Sequence, residues 1–535
     1  MKRLLSAALL VASLTGCEPK EVNYALNIVT RNCDSAADPF NGVQFLRIRV
    51  TGKDMEPKTE VTSANPATRS LKIPEIPAGL ERVIEVRGYD ADPNGGGKII
   101  SVGRTLPFDV PDVVPEELVG GSLKKNVILR KVNTFAPIVS ASAPDQCQSL
   151  RVERAGHSAT LMKSGKVFIA GGFNLKQGTA ERKALADVEV YNPETGAFEL
   201  GKPLSLTLQS SIVELPSAYH AAIRIPNGQV VVWGGETYGV NNVAGPKTTI
   251  LFYDETVDDY GALGPRNPPA IPRSHHQMAI DANGKVLVAG GIKASGRLAE
   301  EVEWLDANNK TEITSKVVSG ANLPRMGATV MPVKNGEFIA IAGGTNGTAL
   351  QNDIVFYKFT GMTFAQQSLS TPPRLAEPGR REAAGALIRD GADLLVLGGY
   401  TDASLNPAAT PTPSASSEVL TGASGTIGAG PDVRVARGEL CAVTMGDGSV
   451  LATGGRTVDG ISPRSDATAV LITPGSNGGV TSIGAPNLPR ARYGHTCTTL
   501  ADGTVLITGG INESTTGSIE ILKDAYIYTP TPAAD

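Results

Sequence analysis

From Arg154 onward the apolar residues of this chain fall into short runs that keep a fixed order. A first run leads into a turn pair, a second run ends in Gly-Gly, a variable stretch follows, and a third run comes after it. RAGHSATLMKSGKVFIAGG opens one such unit, RSHHQMAIDANGKVLVAGG another and RYGHTCTTLADGTVLITGG the last. Runs this short, bounded by Gly, Asn, Asp and Pro, predict strands and not helices. The turn pairs are Ser164-Gly165, Asn227-Gly228, Asn283-Gly284, Asn335-Gly336, Asp390-Gly391, Asp447-Gly448 and Asp502-Gly503. Such pairs predict hairpins with type I′ turns. The third run, such as DVEVYNPETGAFEL (187–200) or TTILFYDETVDDY (248–260), carries a central turn and so supplies a fourth strand.

The glycine pairs begin at Gly171, Gly234, Gly290, Gly343, Gly398, Gly454 and Gly509, which are 63, 56, 53, 55, 56 and 55 residues apart. Seven copies at this period predict a seven-bladed β-propeller with four antiparallel strands per blade, over 153–531. The glycines belong where strand two meets a crowded hub and a Cβ has no room. They do not make a phosphate loop, because no G-x-x-x-x-G-K-[ST] occurs and no helix follows any pair.

Residues 22–133 alternate differently. NYALNIVT, VQFLRIRV, RSLKIPEI, RVIEVRGYD, KIISVGRT and KKNVILRKV read as strands, and DADPNGGGK reads as a turn between two of them. This spacing predicts an antiparallel, immunoglobulin-like β-sandwich that acts as a spacer, with 134–152 as a linker. The whole chain is then all-β.

The motif R-x-x-H (Arg154 to His157), the run G-x-V-x-I-x-G-G and the stretch D-V-E-V-Y-N-P-E-T-G-A-F resemble the kelch repeat and the galactose-oxidase-like propellers. The resemblance spans roughly the repeat region and is fullest in the first unit. REAAGALIRDGADLLVLGG, in the fifth, keeps only the arginine, the turn and the Gly-Gly. The late tryptophan of kelch repeats is missing, with Phe198 and Phe364 in its place.

Composition changes the picture little. The 535 residues hold 60 Gly, 36 Pro and 5% aromatics, with a net charge of −4 and no basic patch to suggest nucleic acid. The N-terminus adds more. Lys2 and Arg3 precede an apolar run to about Leu14, too short to span a bilayer, which reads as a signal peptide over 1–16. Its LTGC ending resembles the lipobox of bacterial lipoproteins. That implies cleavage before Cys17, acylation of its thiol (palmitate among the chains), and a lipid anchor with a short tether over 17–21. In that family Asp after the cysteine is the inner-membrane retention signal, so Glu18 leaves the outer membrane as the default expectation. The remaining cysteines allow three pairings. Cys33–Cys147 would tie the first domain to the linker, and Cys441 and Cys497 could either face each other across neighbouring blades or stay free.

Four of the five histidines share one register. His157, His220, His276 and His495 each precede their first glycine by 14 residues, with Ala328, Ala384 and Leu440 at about that place in the other units. They could line a metal or ligand site near the channel, or they could be repeat-locked packing residues bonded to the next blade's backbone, which is the reading we favour here. Arg154, Arg273, Arg381, Arg437 and Arg492 precede the glycine by 17 residues and Arg325 by 18, while Ser217 breaks the pattern. These arginines are expected to pair with a carboxylate or carbonyl between blades. The loops after each Gly-Gly are long and lie on the face where strand one begins, so they are the expected binding surface. No H-E-x-x-H or G-x-S-x-G occurs. The expectation is an envelope-anchored binding or scaffolding protein with a protein or glycan partner, no cofactor and no enzymatic role. The alternatives are a galactose-oxidase-like copper oxidoreductase, for which Tyr219-His220 would be the adjacent pair, and a purely structural envelope component.

Overall fold

The structure is a computed structural model that describes residues 23–533, apart from 65–73, 75, 113–121, 209–210, 261–270, 309–314, 407–408, 423–424 and 476–478. The expected signal peptide, Cys17 and the expected tether lie outside the described residues.

Among the described residues the protein is all-β, with only short 3-10 turns such as Ser35–Ala37 and Pro93–Gly95. The repeat region folds into seven sheets, each opening with a hairpin. The first sheet runs Ser158–Leu161, Val167–Ala170, Val188–Asn192 and Ala197–Gly201, with every neighbouring pair antiparallel. The next five repeat that order. The first strand of each sheet packs against the first strand of the next, and the seventh packs back on the first. The fold is therefore β-propeller-like.

The unbroken apolar second strands now have a reason. Val230–Trp233 is buried on both faces: Val230 and Val232 pack toward the first sheet, while Val231 and Trp233 pack toward the third. Each of the seven junctions between sheets holds its own apolar cluster in this way. A strand between two such layers cannot alternate with polar residues.

The glycine pairs stitch the sheets together. Their first members sit at φ of +58° to +74° and their second at +90° to +118°. The second glycine's N–H donates to a carbonyl of the following sheet: Gly235 to Arg273, Gly399 to Arg437 and, closing the circle, Gly510 to Arg154, each at 2.9 Å. A Cβ on Gly171 would lie 2.3 Å from the Ser217 carbonyl, so no other residue fits there.

Three expectations need correction. Five of the seven strand one–two turns are not type I′, whereas Asn335-Gly336 and Asp390-Gly391 have positive φ at both residues, as type I′ requires. In those five only the glycine has positive φ, and the turn closes as Gly165 N to Met162 O does. That is a type I turn followed by a left-handed glycine. Next, residues 134–152 are not a linker. Thr134–Ser140 pairs antiparallel with Ala525–Thr529, and Ala143–Gln148 follows it, so N-terminal residues complete the seventh sheet. Finally, the first region is not wholly antiparallel. Its main sheet, built on Phe45–Thr51 and Gly79–Tyr89, is antiparallel, but Asn23–Val29 and Ser122–Ile128 pair parallel. Their Leu26, Ile28 and Val127 help close a core over Leu46, Ile48, Ile84 and Val86.

The first region meets the sheets through turns on the side away from the long loops. Arg130 pairs with Asp502 at 3.4 Å, both buried, and Lys125 pairs with Glu194 at 2.9 Å. The Cys33–Cys147 disulfide joins the region to the outermost strand of the seventh sheet.

Candidate functional site

The approach to strand one is a four-residue module repeated in every sheet. It reads Arg154-Ala155-Gly156-His157 in the first sheet and Arg492-Tyr493-Gly494-His495 in the seventh. Each of its positions does one job.

The arginines are fully or nearly buried, and they lock strands of their own sheet rather than bridging sheets. Arg154 donates to the Gly171 carbonyl at 2.9 Å and to Glu189 at 2.7 Å. Arg273 repeats this with the Gly290 carbonyl and Glu303, and Arg492 with the Gly509 carbonyl and Asp524. Arg325 and Arg437 occupy the same place, the latter on Asp466. In the fifth sheet the residue is Arg380 and not Arg381. Arg380 reaches the Gly398 carbonyl at 2.9 Å and Glu418 at 2.6 Å, whereas Arg381 pairs with Asp402 at 2.7 Å. The turns of the fourth and fifth sheets explain the slip. Lys334, Asn335 and Gly336, like Arg389, Asp390 and Gly391, are three successive positive-φ residues, so those hairpins are one residue longer. The same offset puts Ala383, not Ala384, at the histidine place. Ser217, in the second sheet, bonds the Gly234 carbonyl at 2.8 Å and leaves a small pocket beside Lys247.

The histidines lie between sheets. His157 Nε2 is 3.1 Å and 3.0 Å from the hydroxyls of Thr496 and Thr508, His220 Nε2 is 2.8 Å from Ser158 Oγ, and His495 Nε2 is 2.9 Å from Thr453 Oγ1. His276 packs beneath Gly234. The partners are mostly side-chain hydroxyls, although His220 Nδ1 also meets the Ser217 carbonyl at 3.2 Å. The four do not converge. Among the described residues, the group of three that brings metal-ligand atoms within 4.8 Å is Cys441, His495 and Cys497. Cys441 and Cys497 are disulfide-bonded, which settles the alternative left open above.

Burial holds all four histidines neutral, driving His220 down to about 4 and His495 to about 3 from 6.5. The folded values are depressed, so the unfolded chain takes up protons that the fold refuses. The stabilisation is complete above about pH 6.5 and is lost as pH falls toward 4. Urea midpoints should therefore drop between pH 7 and pH 4.5, and less steeply in His220→Gln. Equal slopes for the two proteins would remove the histidine from the account.

Of the positions just before the histidine place, the sequence singled out Tyr219 alone, as the neighbour of His220. Gly156, Tyr219, His275, Gly327, Glu382, Glu439 and Gly494 all have φ between +50° and +67°. Their backbones link in two runs, Gly156–Tyr219–His275 and Gly327–Glu382–Glu439–Gly494, with Tyr219 N to Gly156 O at 2.8 Å, His275 N to Tyr219 O at 3.0 Å and Glu439 N to Glu382 O at 3.0 Å. A left-handed non-glycine costs about 1–3 kcal/mol and tends to mark function. Four occur here, and each carries a chemically capable side chain. The signal available in the sequence was Gly at three of the seven equivalent positions.

These side chains line one mouth. The Tyr219 ring stacks on His275 with centroids 3.9 Å apart, and His275 Nε2 lies 3.7 Å from Glu236, which Ser274 Oγ meets at 2.6 Å. Tyr400 donates to Glu439 at 3.0 Å. Burial and the neighbouring Glu382 push the Glu439 carboxyl up, and burial pushes the Tyr219 phenol up. The adjacent Tyr219 and His220 diverge, one onto this mouth and the other between sheets.

Four hairpins stand around the mouth, from neighbouring sheets seven, one, two and six: Phe173–Leu175 with Arg182–Ala184, Glu236–Tyr238 with Ala244–Pro246, Arg456–Asp459 with Ser462–Ser465, and Ile511–Glu513 with Ile519–Ile521. Arg182 lies over Phe173 at 4.6 Å, and Arg456 pairs with Glu513 through both nitrogens at 2.6 and 2.9 Å. The arrangement offers phenols, carboxylates and guanidinium groups on a rigid, part-walled bowl. It suits hydrogen bonding to a polar ligand.

No known protein family matches this sequence, and no curated protein does. Among solved structures, one described as "Structure of YjhT" is similar over 63% of this chain and 99% of its own, at 14% identity and a TM-score of 0.44, a likeness too slight to argue from.

Proposed function

We propose that this chain is an envelope-anchored lipoprotein, built as a seven-bladed kelch-like propeller on an immunoglobulin-like spacer, that presents its walled mouth to a protein or glycan. The observation that carries the reading is the ring of seven left-handed residues with Tyr219, His275, Glu382 and Glu439 half-buried within the hairpin wall. Strained polar residues on a rigid scaffold are suited to binding. The first region packs on the opposite face, so a lipid on Cys17, at the outer membrane in preference to the inner, leaves the mouth pointing away from the bilayer.

The test is site-specific photocrosslinking in native membranes. Probes at the exposed hairpin tips Val240 and Ile461 (77% and 84% exposed) should capture a partner. Probes at Asn227 and Asp447, in turns on the opposite side, should not. The hairpin-tip adducts should disappear in a Cys17→Ala protein that fractionates as soluble. Equal labelling from both faces, or a Cys17→Ala protein that stays membrane-bound, would overturn the reading.

A further inference from the structure

The sixth and seventh sheets meet differently from the rest. At the seventh–first and first–second junctions the histidine faces hydroxyls, from Thr496 and Thr508 in one and Ser158 in the other. At the sixth–seventh junction His495 shares its place with two sulfurs. Cys441 opens the innermost strand Cys441–Thr444, and Cys497 lies in the innermost strand Thr496–Thr499. Thr453 Oγ1 touches both groups, at 2.9 Å from His495 Nε2 and 3.4 Å from Cys497 Sγ. His495 is buried with its Nδ1 unpartnered, while both cysteines are half-buried and so within reach of small solutes.

We propose that Cys441, Cys497 and His495 form a redox-gated site for a thiophilic divalent cation of the zinc class, closed while the disulfide stands and open once it is reduced. Two thiolates and one imidazole are the donor set such an ion prefers, with water completing the tetrahedron. Zinc holds thiolate sulfur at about 2.3 Å, which places two sulfurs of a tetrahedral site roughly 3.8 Å apart. The cysteine Cα atoms are 6.0 Å apart, so rotation about the two Cα–Cβ bonds reaches that spacing without moving the strands.

Opening requires a dithiol reductant. It gives two electrons and two protons: the Cys441–Cys497 bond breaks, each sulfur becomes a thiol, and the reductant's sulfurs join in a disulfide. The cation then displaces both thiol protons to solvent and takes the Nε2 lone pair of neutral His495. Thr453 Oγ1, released from the imidazole, is placed to donate to the Cys497 thiolate and so tune it. Either way the two sheets remain joined, by a covalent bond in one state and by the ion in the other.

The experiment compares two states of the same purified full chain. The oxidised protein serves as the folded control. After reduction with a dithiol and removal of the reductant under anaerobic conditions, Zn²⁺ should bind at one equivalent by native mass spectrometry. Co²⁺ should give thiolate charge-transfer absorption with tetrahedral d–d bands. The oxidised chain should show neither. Cys441→Ser with Cys497→Ser should abolish both signals, and His495→Asn should weaken binding about ten-fold or more while keeping the charge-transfer band. Equal uptake by the oxidised chain or by the double serine variant would overturn the proposal. So would a reduced chain that keeps its native circular dichroism and takes up no metal, which would make the pair a structural staple alone.

Discussion

Arg154→Ala should lower the unfolding free energy by about 3–5 kcal/mol, the loss expected when one partner of a buried ion pair is removed. Arg154 and Glu189 have side chains 0% and 1% exposed, so water cannot take the place of the guanidinium. Glu189 would keep the backbone N–H of Arg151 at 2.8 Å but lose its counter-charge, and the Gly171 carbonyl would lose its side-chain donor. The two strands tied by that arginine also carry the stitch between sheets, so the damage should spread along the ring. The control is the paired replacement Arg154→Met with Glu189→Leu. It removes both charges and fills the space, and should recover most of the loss, because desolvating two ions offsets much of their attraction. Urea denaturation of the three proteins decides the matter. A single variant within 1 kcal/mol of wild type would mean that these arginines do not hold the sheets.

The second large effect concerns Cys33–Cys147. The bond closes 114 residues of chain, and the entropy of a loop that long corresponds to about 4–5 kcal/mol. It links the first region to the outermost strand of the seventh sheet, beside the contact of Asn32 Nδ2 with the Pro137 carbonyl at 3.1 Å. Cys33→Ser with Cys147→Ser should therefore lower the unfolding free energy from urea denaturation by that order, and proteolysis should begin within 134–152. A loss under 1 kcal/mol would show that the ring closes without help from the first region.

Much of this architecture could be read from the sequence because a ring of like units must repeat its constraints. The glycine pairs, the apolar second strands and the loops on one face all follow from a period near 55 residues. What escaped depended on single residues or on distant ones. One extra turn residue in the fourth and fifth sheets moved the buried arginine from Arg381 to Arg380, and spacing counted from the glycine could not reveal it. The strands at 134–140 and 143–148 have no partner nearby in sequence, since theirs begins at Ala525. The parallel pairing of Asn23–Val29 with Ser122–Ile128 is equally remote. The mouth was hidden for another reason. Tyr219, His275, Glu382 and Glu439 differ in chemistry and share only a backbone conformation, which leaves no common letter to recognise.

The strand at Thr134–Ser140 also sets a timetable. It emerges from the ribosome almost four hundred residues before the strand it must pair with. Until then the nascent protein carries an open, adhesive margin and cannot shut its circle. Contacts so far apart in sequence make folding slow and leave strand margins open to misassembly. A chain cut before Ala525 could never shut its circle.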